Sequence, residues 1–277
     1  NGKELLCMLE TLGADAKGVV KQENRKTSKK SRVIASHQQV VRYDSESKED
    51  ITQVSVDALL SQCTSYIPNV DVVLLSDYGK GVLTTTFTNH VIEFAKKYKK
   101  PILVDPKGED YSKYKGATLI TPNKKEASIA TKIAIKDDET LQKAGRLLKE
   151  SLGLEYAIIT LSEDGMAIFG EQFLKMPTVA REVYDVTGAG DTVLASIGYG
   201  LSCGLSIQEA ASFANSAAAV VVGKLGSATV TLDEVDAYEH SLRAATAESK
   251  IKTKQEMVHL LQTKKTQKIV FTNGWFD

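Results

Sequence analysis

The stretch DVTGAGDT, residues 185–192, sets a tight glycine turn directly before a carboxylate. Glycines at 188 and 190 let backbone approach a ligand closely, and the apolar run ASIGYGLSCGL that follows has the pattern of a helix. Gly188, Ala189 and Gly190 therefore fall at a helix N-terminus, where amides without intrahelical acceptors make an anion site. A plain helix cap by Thr187 or Asp191 is the competing reading, but a cap does not require two glycines flanking an alanine. The pattern GxxxxGK[ST] is absent, and Val193 stands where GxGxxG needs its third glycine.

Anion-binding amides beside a carboxylate suit phosphoryl transfer, in which a protein mainly positions groups and stabilises charge. The amides of Gly188, Ala189 and Gly190 would hold the charge on the transferred phosphoryl. Asp191 would face the acceptor hydroxyl and take its proton. A kinase is the expected activity.

These residues need a scaffold that brings them to one edge. The spacing predicts a helix over 3–12 closed by Gly13, and strands over 17–22 and 32–43 separated by the basic loop NRKTSKKSR. Strands follow at 70–77, 101–106, 117–123, 156–162, 166–169 and 173–176. Helices are expected over 84–99, from Lys124, and over 138–152, 189–202, 207–223 and 248–263. Apolar strands alternating with amphipathic helices predict an α/β fold, with a mostly parallel sheet covered by helices on both faces. In such a sheet ligands bind beyond the carboxyl ends of the strands. Asp77, Lys80 and Gly81 fall at that edge, as do Asp105, Lys107, Asn123, Glu126, Thr160, Ser162 and Gly165.

The 277 residues are 42% hydrophobic and 25% charged with zero formal net charge, which disfavours bulk attraction to nucleic acid or anionic membrane. Three scattered cysteines fit a reducing compartment and offer no zinc pattern. No stretch has the length and apolarity of a membrane span.

DVTGAGDT resembles the second signature of the ribokinase/PfkB family of carbohydrate kinases. TPNKKEA at 121–127 resembles that family's Asn-x-x-Glu motif, ITLSEDG at 159–165 its nucleotide-side turn, and Asn215 in FANSAAAVVVGKLG a position flanking the adenine pocket. The resemblance implies a ribokinase-like fold with a small β lid and use of ATP and Mg2+. It implies ATP contacts from Asn123, Lys124, Lys125, Glu126, Thr160, Ser162, Gly165 and Asn215, with Glu126 reaching the metal through water or phosphate.

RVIASHQQVVRYDSE, SDYGKGVL and VDPKG narrow the resemblance to the branch of the family that acts on D-glycero-β-D-manno-heptose 7-phosphate. That likeness implies a cytoplasmic enzyme phosphorylating the anomeric hydroxyl to the 1,7-bisphosphate, for the lipopolysaccharide inner core. On charge alone the basic loop reads as a solvated turn. The resemblance instead implies that Lys30, Arg32, Gln38, Gln39, Arg42 and Asp44 handle the phosphorylated sugar, with Asp77 and Lys80 closing its pocket. The lid strands are equally expected to form a homodimer surface.

The expected organisation is a kinase domain over 1–244, a helical linker over 245–266, and the first strand of a nucleotidyltransferase domain over 267–277. Two departures stand out. The family's first strand, its sugar-binding aspartate and a glycine-rich segment are not found, so a sugar pocket short of one wall and weak activity are expected of these residues alone. In KIVFTNGWFD, Trp275 replaces a cysteine of the related transferases, and no adenylyltransferase activity is assigned. A different sugar or nucleoside kinase of the family, and a nucleotide-binding chain without activity, are the alternatives. A dinucleotide oxidoreductase is remote.

Overall fold

The computed structural model describes residues 2–35, 38–178 and 183–245, with 253, 254, 256 and 257. They divide into two compact units, Asn1–Val230 and Thr231–Asp277.

The first unit opens with helix α1 (Gly2–Thr11), then a two-stranded antiparallel hairpin, β1 (Lys29–Ala35) and β2 (Gln38–Ser45). Next come α2 (Gln53–Tyr66), β3 (Val73–Ser76), α3 (Thr85–Lys97), β4 (Ile102–Asp105) and β5 (Leu119–Ile120). The chain continues through α4 (Lys124–Thr131), α5 (Asp138–Leu152), β6 (Tyr156–Thr160), β7 (Met166–Phe169) and β8 (Phe173–Met176), and ends this unit with α6 (Ala189–Ser202) and α7 (Ile207–Val222). Helix α8 (Leu232–Ala245) belongs to the second unit.

Strands β3 to β8 form one sheet in chain order, parallel from β3 to β6 and antiparallel from β6 to β8. The strands are short apolar runs whose alternate residues enter two different cores. Ile102, Val104, Ile120 and Ile159 pack with Val56, Val91, Ile92, Leu141 and Leu148 of α2, α3 and α5. Leu103, Leu119 and Ile158 pack with Val193, Leu194, Ile197 and Ala214 of α6 and α7. Each such Val, Leu or Ile side chain, removed from water, contributes about 1.5–3 kcal/mol, and the period of two in a strand puts successive residues on opposite faces. The expected ribokinase-like α/β architecture is what forms.

Local signals fix the helix ends. Asp137 caps α5 through a reciprocal pair with Thr140, and Gly153 closes it in the left-handed region at φ 61°.

Two expectations are corrected. Residues 17–22 form no strand; Gln22 instead accepts bonds from Thr52 N, 3.0 Å, and Ser55 Oγ, 2.8 Å, and so anchors the start of α2. The single strand expected over 32–43 is a hairpin, with Lys30 opposite Asp44 and Arg32 opposite Arg42. Half of the basic loop thereby becomes β1. Helices α2 and α8 carry no expectation from the sequence reading. The helix expected over 248–263 and the strand expected over 267–277 lie largely or wholly outside the described residues. Among the described residues no helix is long and apolar enough to cross a membrane.

Candidate active site

The parallel register puts Ser76 beside Asp105, so the loops leaving β3 and β4 start level with each other. The N-terminus of α6 lies over this edge. Gly188 is its N-cap, at φ 84° and ψ 0°, a conformation costly for any residue with a Cβ. Its carbonyl accepts from Thr192 N and Thr192 Oγ1, both at 2.9 Å, while Asp185 accepts from Thr187 N at 2.8 Å. Ala189 N donates to Val186 O at 3.2 Å. No side chain caps the helix. The capping reading of Thr187 and Asp191 is thereby set aside, and Gly190 and Asp191 occupy positions whose amides have no acceptor within the helix.

The Asp191 carboxylate turns to the strand edge. Tyr78 Oη donates to it at 2.6 Å from Oδ2 and 2.8 Å from Oδ1, and Ser76 Oγ lies 3.4 Å from Oδ1. Burial, then the bond to Asp191, pushes the Tyr78 phenol up to about 12. A Cβ on Gly190 would sit 4.0 Å from Asp105 Oδ2, which places the second glycine against the end of β4. Burial pushes Asp105 up to about 7, helped by the negative charges of Glu126, Asp191 and Asp77 and opposed by Lys107.

Asn123 and Glu126 form a reciprocal capping box at the start of α4: Asn123 Oδ1 accepts from Glu126 N at 2.9 Å, and Glu126 Oε2 from Asn123 N at 3.1 Å. Glu126 Oε1 pairs with Lys107 Nζ at 2.6 Å. The Asn-x-x-Glu spacing thus serves the helix end and presents one carboxylate oxygen to the site. Thr160 bridges to Asn123 at the end of β6. Lys124, Lys125 and Ser162 line an open cleft of about 780 Å3 with Asn123, Ile129 and Lys132.

Gly165 is at φ 86°, and a Cβ there would collide with the Met176 carbonyl. Asn215 Nδ2 donates to Pro177 O at 2.8 Å. The two expected nucleotide-side residues therefore converge on the end of β8.

The hairpin supplies the opposite side. Lys30, Arg32, Arg42 and Asp44 share one face by register and alternation. Lys30 Nζ stands 5.5 Å from the Tyr78 ring centroid. Bonds from Thr187 hold Asp185 below the ordinary carboxylate range, and the charge of Arg32 adds to this. Arg42 pairs with Asp44 at 2.9 Å. Gln38 and Gln39 lie in β2, and their side chains are outside the described residues.

Asp77 and Lys80, expected to close the sugar pocket, lie in the loop that follows β3. Asp77 is buried, with Oδ1 accepting from Gly79 N and Oδ2 from Lys113 Nζ and Tyr114 Oη, each at 2.6 Å. Lys80 is paired with Glu46, and its carbonyl accepts from Arg25. Both brace the loop after β3. Ser76, Tyr78 and the Lys113–Tyr114 support were missed by sequence reasoning. Position was the available signal for the first two, since both sit at the carboxyl end of a parallel strand.

The carboxyl edge of the α/β sheet thus brings together the N-terminus of α6, the Asp191 carboxylate and the basic face of the hairpin. The chain belongs to the pfkB family of carbohydrate kinases, whose family model matches residues 1–234. It is 51% identical over 278 residues to the bifunctional protein HldE of Wolinella succinogenes, spanning 100% of this chain and 59% of that protein. The bifunctional protein HldE of Aliarcobacter butzleri is 55% identical over 276 residues, spanning 99% of this chain and 58% of that one. The chain thus covers less than two thirds of these relatives. In fold it is similar to phosphofructokinase-2 of Escherichia coli in complex with potassium, with TM-score 0.72, 18% identity, and 86% of this chain and 78% of that one covered. It is also similar to Arabidopsis thaliana ribokinase complexed with ribose and ATP, with TM-score 0.64, 22% identity, and 83% and 76% covered.

Proposed function

We propose that the chain phosphorylates D-glycero-β-D-manno-heptose 7-phosphate at its anomeric hydroxyl, with ATP as donor, in the cytoplasmic supply of lipopolysaccharide inner-core heptose. The observation that carries this reading is the placement of Asp191. It stands in the first turn of α6, relieved of capping, with its carboxylate at the strand edge beside the helix amides. The high identity to the two HldE proteins supports the heptose as acceptor.

Asp191 takes the proton of the acceptor hydroxyl as its oxygen bonds to the γ-phosphorus and the bond from that phosphorus to the β,γ-bridging oxygen breaks, with ADP as the leaving group. The amides of Gly188, Ala189 and Gly190 receive the charge on the transferred group; Ala189 N must exchange its bond to Val186 O to do so. Lys124, Lys125, Thr160 and Ser162 line the path of the triphosphate, and Gly165 and Asn215 the base. Lys30, Arg32 and Arg42 bind the 7-phosphate. Gln38, Gln39 and Asp44 bind sugar hydroxyls, and Asp77 and Lys80 hold the loop that carries Tyr78.

Mg2+ fits the carboxylates present. Among the described residues no three His, Cys, Asp or Glu side chains form a cage, and Mg2+ ordinarily keeps its waters and takes one or two carboxylates plus phosphates. Burial first, and then the negative charges of Glu126 and Asp191, raise Asp105, and a cation at this edge would offset those charges. Glu126, through water, and Asp105 beside it would hold the ion, which supplies charge neutralisation to the phosphates. The outer face of the hairpin, with Val33, Val41 and Tyr43 exposed at 53%, 51% and 67%, suits a homodimer contact.

The test is a coupled ADP-release assay with heptose 7-phosphate, fructose 6-phosphate, ribose and a nucleoside as acceptors. Selective turnover of the heptose is expected, and Asp191→Asn should lower kcat by about two to four orders of magnitude with ATP binding retained. Preference for another acceptor overturns the substrate assignment, and near-normal turnover of Asp191→Asn overturns the base.

A further inference from the structure

A base on an exposed first turn needs something to fix its orientation, because an aspartate side chain turns about two torsions and α6 has no side-chain cap. The Tyr78 hydroxyl does this from the strand side, bonding across both oxygens of Asp191 at 2.6 and 2.8 Å. Ser76 is a weaker second contact at 3.4 Å. Tyr78 is itself fixed on two sides. Its neighbour Asp77 is buried and tied to Gly79, Lys113 and Tyr114, and Lys30 Nζ sits over its ring at 5.5 Å.

One phenol carries one proton, whereas a carboxylate offers about four lone-pair sites. Tyr78 therefore leaves most of Asp191 open to an incoming hydroxyl. With its phenol pushed up to about 12, Tyr78 donates to the base and does not compete with it.

We propose that Tyr78 is the positioning residue of Asp191, clamping the carboxylate so that its free lone pairs face the acceptor hydroxyl. The Lys30 seat on the ring couples this clamp to the hairpin. The inference rests on Asp191 being the base. An unclamped base still sits in a binding-competent site, so the loss falls on turnover and not on ligand affinity.

The test compares steady-state kinetics of the full-length protein with Tyr78→Phe, Asp191→Asn and the double variant, with kcat normalised to folded protein. Phe keeps the half-exposed ring and removes only the hydroxyl. Tyr78→Phe should lower kcat about ten- to a hundredfold, with KM for ATP and for the sugar phosphate within about twofold of wild type. The double variant should be no slower than Asp191→Asn, because a clamp without its base has nothing to hold. Wild-type kcat in Tyr78→Phe with Asp191→Asn inactive would overturn the clamp and leave the base standing. A loss expressed in KM alone, or a multiplied loss in the double variant, would also overturn it. An active Asp191→Asn removes the base and the clamp together.

Discussion

Replacing Asp105 by Asn should make the protein more stable in a way that depends on pH. Asp105 ends β4 in a largely buried position, facing the charges of Glu126, Asp191 and Asp77, and its carboxyl is pushed from 3.8 to about 7. An acid whose folded value is raised binds its proton more tightly in the folded state. Folding therefore bears no penalty from it below about pH 4, a growing one as pH rises towards 7, and a constant one above. The difference of about 3 pH units corresponds to at most about 4 kcal/mol at 1.36 kcal/mol per unit. Asn is neutral throughout and nearly isosteric. Its advantage over wild type should grow by about 1–3 kcal/mol between about pH 5 and pH 8.5. Urea unfolding at the two pH values, followed by circular dichroism, measures this. The same gain at both values, or a loss at the higher one, would refute the electrostatic account of the strand edge.

Replacing Lys30 or Arg32 with Ala should weaken heptose 7-phosphate binding by about tenfold or more while ATP binding stays within about twofold; calorimetry with each ligand reads this, and equal losses would point to a folding role for the hairpin. Gly165→Ala should lower stability by at least about 2 kcal/mol, because its positive φ and the Met176 carbonyl exclude a Cβ. A thermal-shift measurement in which the melting temperature holds would contradict that reading.

Where a signal was local, the sequence carried it. Helix α5 is readable to its ends because Asp137, Thr140 and Gly153 each act within one turn, and β7 and β8 because their apolar runs stop at turn residues. DVTGAGDT is readable for the same reason, since glycine turn and carboxylate lie in one contiguous stretch. Residues 17–22 read as a strand yet form none, because extended backbone becomes a strand only with a partner, and here the Gln22 side chain bonds to the start of α2 instead. Asp77 and Asp191 look alike in sequence. One is turned inward by Lys113 and Tyr114, 36 and 37 residues away, and the other is turned towards Tyr78, 113 residues away. No window on the chain contains those partners.

The six strands of the main sheet lie side by side in the order in which they are synthesised. Position along the polypeptide thus becomes position along the reaction axis: under the proposed roles, the acceptor's contacts come from the hairpin through the loop after β3, and the donor's from Asn123 onward. A single crossover between two related genes, placed between β4 and β5, would exchange one set almost whole and keep the other, with only α6 returning to close the junction. Such a layout lets acceptor choice diverge by recombination while the apparatus for ATP is inherited intact.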